Sequence, residues 1–186
     1  NPKDEIIIGT KCGMAIRFSI EDLRPLGRSA RGVNSMKLRT GDEIIGCDIV
    51  PQNYDADLLV VTSDGFGKRT KLSEFRGQNR GGIGLIATKF KTNESRLVAL
   101  TIVAENDEIM LVTANGIVTR IKASDISQQG RPATGVRAQN LVDNDTVVSV
   151  NKIITPEEED SIVDKAAPKT TEEKADDVSA EQTKLI

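Results

Sequence analysis

Apolar residues fall along this chain in short runs broken by polar turns. A first set of runs, at 5–10, 58–62 and 108–113, is rich in Ile, Val and Leu. A second set follows each after a Gly-containing turn, at 14–19, 66–72 and 117–122. A polar loop leads to a third set near 33–38, 83–90 and 135–141, and a fourth lies at 44–50, 96–103 and 146–154. Runs of this length, spaced about ten residues apart between turn residues, predict strands. Asp64-Gly65 and Asn115-Gly116 predict type I′ hairpins, whose two central residues both need positive φ.

The runs are copies of one another. Gly13, Gly65 and Gly116 superimpose at offsets of 52 and 51 residues. So do Thr10, Thr62 and Thr113, and Arg17, Arg69 and Arg120. Arg28, Arg80 and Arg131 follow, then Gly32, Gly84 and Gly135, then Leu38, Phe90 and Leu141. Repeats of this period with four strands each predict an all-β fold of tandem four-stranded, propeller-like blades, at about 5–56, 57–107 and 108–154. Three blades are fewer than a propeller ring uses. With an Asn1-Pro2-Lys3 start, this leads to the expectation of more blades upstream, or of three that stack openly.

Composition narrows the chemistry. Aromatic content is 3%, with no Trp and one Tyr, so the core must rest on aliphatic residues. The chain has two cysteines and no histidine, which leaves out zinc ligation and His-dependent catalytic pairs. No run approaches the ~18 apolar residues of a membrane span. Tyr54 lies in Asn53-Tyr54-Asp55, between two blades, and reads as a linker residue.

Charge is uneven. Residues 1–153 hold 21 Lys+Arg against 18 Asp+Glu, a net of +3, and 154–186 hold 4 against 10, a net of −6. The tail, 155–186, has few large apolar residues and is expected to be disordered, as a solubilising segment or as a competitor of the basic surface. On the second strand, alternation puts Arg17, Arg69 with Lys71, and Arg120 with Lys122 on one face. The loops that follow add Arg28, Arg31, Arg76, Arg80 and Arg131. A basic stripe repeated once per blade suits a polymer of regularly spaced phosphates. Two plainer readings compete: a solvated charged face, and structural arginines paired with the aligned acids Asp22, Glu74 and Asp125. The segment Gln78-Asn79-Arg80-Gly81-Gly82-Ile83-Gly84 is a candidate anion nest, with Gly81, Gly82 and Gly84 letting backbone amides approach a phosphate.

At these residues the chain resembles the C-terminal domain of the DNA gyrase A subunit. The resemblance is carried by 57–69 (DLLVVTSDGFGKR), 80–84 (RGGIG), 107–120 (DEIMLVTANGIVTR) and 130–136 (GRPATGV). It implies a β-pinwheel, with this segment as the last three blades at 1–154. The family's glycine box is matched at Gln78, Arg80, Gly81, Gly82 and Gly84, while Asn79 and Ile83 replace two basic positions. The resemblance implies binding and chiral wrapping of double-stranded DNA without base readout, within an ATP-dependent type II topoisomerase that introduces negative supercoils. It implies that this segment is itself non-catalytic, and that ATP and Mg belong to a partner, the gyrase B subunit. The implied assembly is A2B2, with two A subunits, in a bacterial cytoplasm and nucleoid or a bacterial-type organelle. The corresponding domain of topoisomerase IV and a protein-interaction scaffold are the alternatives.

Overall fold

The computed structural model describes residues 3–52 and 54–153. The tail expected to be disordered lies outside these residues. Eleven strands carry the described fold: β1 (Glu5–Thr10), β2 (Met14–Ser19), β3 (Ile44–Val50), β4 (Asp57–Thr62), β5 (Phe66–Lys71), β6 (Leu85–Ile86), β7 (Leu97–Val103), β8 (Glu108–Thr113), β9 (Val118–Lys122), β10 (Val136–Arg137) and β11 (Val147–Ile153). A single 3-10 turn follows the second strand of each repeat, at Ile20–Asp22, Leu72–Glu74 and Ala123–Asp125.

The sheets do not follow the repeat boundaries. Their strand orders are β3-β1-β2-β6, β10-β5-β4-β7 and β11-β8-β9, all antiparallel. The third strand of each repeat was expected in its own blade. Instead β6, from the second repeat, pairs with β2 of the first, and β10 of the third pairs with β5 of the second. These donated strands are only two residues long. No strand forms at 33–38, the equivalent stretch of the first repeat, because no earlier sheet among the described residues offers it an edge. The third sheet has three strands, since no later repeat among them supplies a fourth.

The hairpins also differ from expectation. Gly13, Gly65 and Gly116 each donate from their N–H to the carbonyl of the threonine three residues back, at 2.9, 3.0 and 3.0 Å. Each glycine has φ near +80°, whereas Asp64 and Asn115 do not have positive φ. This is a type I turn closed by a left-handed glycine, not type I′. The aligned threonines complete it: Thr10, Thr62 and Thr113 Oγ1 accept from the N–H four residues on, at 3.3, 3.2 and 3.2 Å.

Why β4 reads as an unbroken apolar run is clear from its position. It is buried on both faces. Leu58 and Val60 enter a core shared with Ile7, Phe75 and Leu100. Leu59 and Val61 enter a second core with Ile109, Leu111 and Ile126. The middle sheet is therefore a slab between two aliphatic cores, and period-2 alternation decides which core each residue joins.

Candidate nucleic-acid interface

In the second and third repeats the polar loop after the second strand runs along the outer edge of the sheet before it. Gln78 N–H donates to Arg17 O at 2.8 Å, and Gln129 N–H donates to Arg69 O at 2.8 Å. Ala87 N–H reaches Gly13 O at 2.8 Å, and Ala138 N–H reaches Gly65 O at 2.9 Å. Gly84 and Gly135 make this close approach possible. A Cβ on either would lie 2.6 Å from Ala15 O or 2.5 Å from Gly67 O.

Neighbouring loops are then stitched to one another. Gly81 N–H donates to Ser35 O at 2.9 Å, and Lys37 N–H to Gly82 O at 2.8 Å. Arg80 Nη1 donates to Asn34 O at 2.6 Å, and its counterpart Arg131 donates to Ile86 O at 3.1 Å. Thr88 Oγ1 donates to Ala133 O at 3.3 Å. The three loops thus form one continuous rim. Of the glycines expected as an anion nest, Gly81 and Gly82 take part in loop–loop bonds, and Gly84 lies against β2. Arg80 and Arg131 are half-buried stitches between loops, and Arg80 Nε is buried without a bonding partner.

Lys68 adds a further clasp. It is fully buried, yet its Nζ donates to Gly130 O at 2.7 Å and also bonds Arg131 O. Burial depresses its pKa to about 8, the neighbouring Arg131 adds to this, and Glu74 opposes it. Glu74 in turn accepts from Arg131 N–H at 3.1 Å.

Two of the three strand arginines expected on an outward basic face, Arg17 and Arg69, point between repeats instead. Arg69 is 8% exposed. It donates to Asp57 at 2.9 Å and to Ile126 O at 2.8 Å. Arg17 pairs with Glu5 and donates to Leu72 O at 2.9 Å. Arg120 pairs with Glu108, but its side chain is 62% exposed. All three are paired with acids, but with Glu5, Asp57 and Glu108 rather than with the aligned acids after the strand. Asp125 instead caps Lys122 N–H at 3.2 Å, and Glu74 holds Arg131.

The cations left facing solvent lie mainly on or beside the loops. Arg28, Arg31, Lys37, Arg39, Lys71, Arg76, Lys89, Lys91, Lys122 and Arg137 are all exposed. Sequence reading missed one cluster. Lys91 and Arg137 both stack on the half-buried Phe66 ring, at 4.7 and 4.9 Å from its centroid. The signal was faint: Phe66 is one of only four phenylalanines, and it directly follows the turn glycine. Tyr54 is exposed. Among the described residues no cluster of His, Cys, Asp or Glu could hold a metal, and no helix is long and apolar enough to cross a membrane.

Antiparallel sheets that share strands from repeat to repeat, with a rim of stitched basic loops, place the chain among tandem-repeat proteins of the β-propeller class. The sequence profile described as "DNA gyrase C-terminal domain, beta-propeller" matches residues 4–51, 56–104 and 107–154. The chain belongs to that family. It is 40% identical over 173 residues to the DNA gyrase A protein of Staphylococcus epidermidis, and 39% over 171 residues to that of Staphylococcus aureus. Those alignments cover 93% and 92% of this chain but 19% of each relative, so the chain spans about a fifth of their length. A solved DNA gyrase A C-terminal domain matches with TM-score 0.75 and 33% identity, over 82% of this chain and 51% of that one. The C-terminal domain of DNA topoisomerase IV matches with TM-score 0.77 and 28% identity, over 82% and 47%.

Proposed function

We propose that this chain is the DNA-holding part of a DNA gyrase A protein. The observation that carries this reading is the continuous rim, in which homologous loops are joined edge to edge and bear cations at repeated positions. Arg28, Arg31, Arg76, Lys89 and Lys91 contact successive phosphates, with Arg80 and Arg131 between them. Arg69 acts from beneath, through the repeat contact, and does not touch DNA. Phosphate contacts fix the path of the duplex without reading bases. Bending 20–30 base pairs costs on the order of 1–6 kcal/mol, offset by the additional contacts that the bend permits.

In this reading the chain does no covalent chemistry. It presents DNA to a type II topoisomerase assembled from two A and two B subunits in a bacterial cytoplasm. The B subunits use ATP and Mg, while the wrapped path sets the sign of supercoiling. Affinity for random-sequence duplex should fall steeply with salt, as counterion release demands. A flat salt response, or a marked preference for one sequence, would sink the backbone-contact model. The topoisomerase IV domain has the same fold, with a TM-score of 0.77, and it motivates a second reading in which DNA is engaged without strong wrapping. A topology assay on the full-length protein with its partner separates the two: negative supercoiling supports gyrase, and relaxation alone supports topoisomerase IV.

A further inference from the structure

The contact between the second and third repeats contains a cluster that the contact between the first and second lacks. Phe66 opens β5 and stands directly opposite Arg137 of the donated strand β10. Lys91 comes from the loop after β6. Both cations lie on the Phe66 ring, 4.7 and 4.9 Å from its centroid, within reach of a cation–π attraction. At the same offsets the other contact holds Met14, Ile86 and Arg39, so it has one cation there and no ring.

All three repeats fix the cluster. Phe90, next to Lys91, seats against the Gly13 turn of the first repeat, 3.1 Å from a Cβ built there. Beyond Lys91, the Thr92 and Ser95 hydroxyls bond at 2.8 Å, and Ser95 Oγ donates to Asp64 of the Phe66 turn at 2.8 Å. Ser63 N–H donates to Arg96 O at 2.8 Å. From the third repeat, Ala138 and Gln139 N–H both donate to Gly65 O, at 2.9 and 3.1 Å. Two exposed cations from different repeats are thus held on one ring, although like charges repel. Among the described residues no carboxylate is paired with either. Asp64, the acid of the same turn, is turned to the Thr62 and Ser95 hydroxyls.

We propose that Phe66, Lys91 and Arg137 form a backbone-phosphate site at the junction of the second and third repeats, with Phe66 as its positioning residue. The inference rests on the DNA-holding reading and adds to it Arg137 and the role of the ring. A bound phosphate relieves the repulsion that the unpaired cations store. The ring touches no phosphate itself. It holds two long side chains in place before binding, which lowers the ordering cost of the contact. Lys91 continues the rim from Lys89, so the occupant is a phosphate of the same duplex and not a free anion. The site belongs to one junction only, so the grip on DNA is uneven along the rim and strongest where the second repeat meets the third.

Duplex binding by the 186-residue chain, followed by fluorescence anisotropy over a salt series, tests the site. Arg137→Met should lower affinity about threefold to tenfold and the salt slope by about 1, as loss of one phosphate contact does. Phe66→Leu keeps every charge, yet should lower affinity about threefold through the lost cation–π hold. Phe66→Tyr, which keeps the ring face, should restore it. In a Lys91→Met/Arg137→Met background Phe66→Leu should change nothing further, because the ring acts only through the two cations. A Phe66→Leu loss that persists in that background overturns the positioning role. So does a failure of Phe66→Tyr to rescue when the urea midpoints of the variants match. Exchanging chloride for inorganic phosphate at equal ionic strength should displace no additional duplex. Extra displacement that disappears in Arg137→Met would mean a free-anion site and overturn the assignment to DNA. If Arg28→Met weakens binding and Arg137→Met does not, this site fails while the DNA-holding reading stands. A wild-type chain that binds no duplex overturns both.

Discussion

The second and third repeats share almost the same strands, yet their edges are in opposite conditions. The Arg69–Asp57 pair of the second repeat lies under the loop of the third, with side chains 10% and 11% exposed. Gln128 also donates to Asp57, at 2.9 and 3.0 Å. The equivalent Arg120–Glu108 pair of the third repeat lies on an uncovered edge, at 62% and 31%. One motif is thus an interior joint in one place and a surface ion pair in the other. The difference comes from whether a following loop covers it, not from the residues of the pair.

Asp57→Asn should break this comparison open. Removing one partner of a buried pair leaves an uncompensated charge and typically costs about 3–5 kcal/mol. Glu108→Gln should cost less than about 1 kcal/mol, as exposed pairs do. Urea unfolding measures both, and equal losses would mean that the covering loop is energetically irrelevant. Next in size is the contrast between loop arginines. Arg80→Met should lose about 0.5–1.5 kcal/mol, the net worth of its bond to Asn34 O. Arg28→Met should leave stability within about 0.5 kcal/mol, while lowering the salt slope of DNA binding by about 1.

The pH responses are smaller. Lys68 has a pKa lowered from 10.5 to about 8, so between these values the unfolded chain holds more protons. Stability should therefore rise with pH across that window, and Lys68→Met should flatten the rise in a series of unfolding curves. Asp42 behaves in the opposite sense. Burial pushes its pKa up, but bonds from the Thr10 hydroxyl and the Cys12 and Glu43 amides outweigh this and hold it below 3.8. Its contribution is present above that value and fades as the pH falls below it. Asp42→Asn should remove part of the acid sensitivity of unfolding.

Much of this was legible in the residues. The repeat offsets, the first two strands of every copy and the turn glycines could be read directly, because hydrophobic alternation and turn residues are local signals. The partners of the strand arginines were not. Arg17 stands opposite Ile7 in the hairpin register, so Glu5 is its diagonal neighbour. That relation appears only once the register is known, and Asp22 was merely closer along the chain. Strand donation was hidden for the same reason. Leu85 and Ile86 look like any short apolar pair, and nothing local distinguishes pairing with β2 from pairing with β5. The rim glycines showed that close backbone approach was needed, but not that Ala15 O would be the neighbour of Gly84.

Donated strands also set the order in which the molecule comes apart. Each sheet is fastened by the repeat after it, so opening the third repeat strips β10 from the second sheet, and the exposed second can then release β6 from the first. Opening the first repeat removes no strand from the sheets that follow. Such a fold behaves as a row of latches, each locked by its successor, with local stability climbing away from the β9 edge. A force applied beyond β11 should therefore undo the repeats in sequence, while the same force applied ahead of β1 should open the first sheet and leave the later sheets their strands.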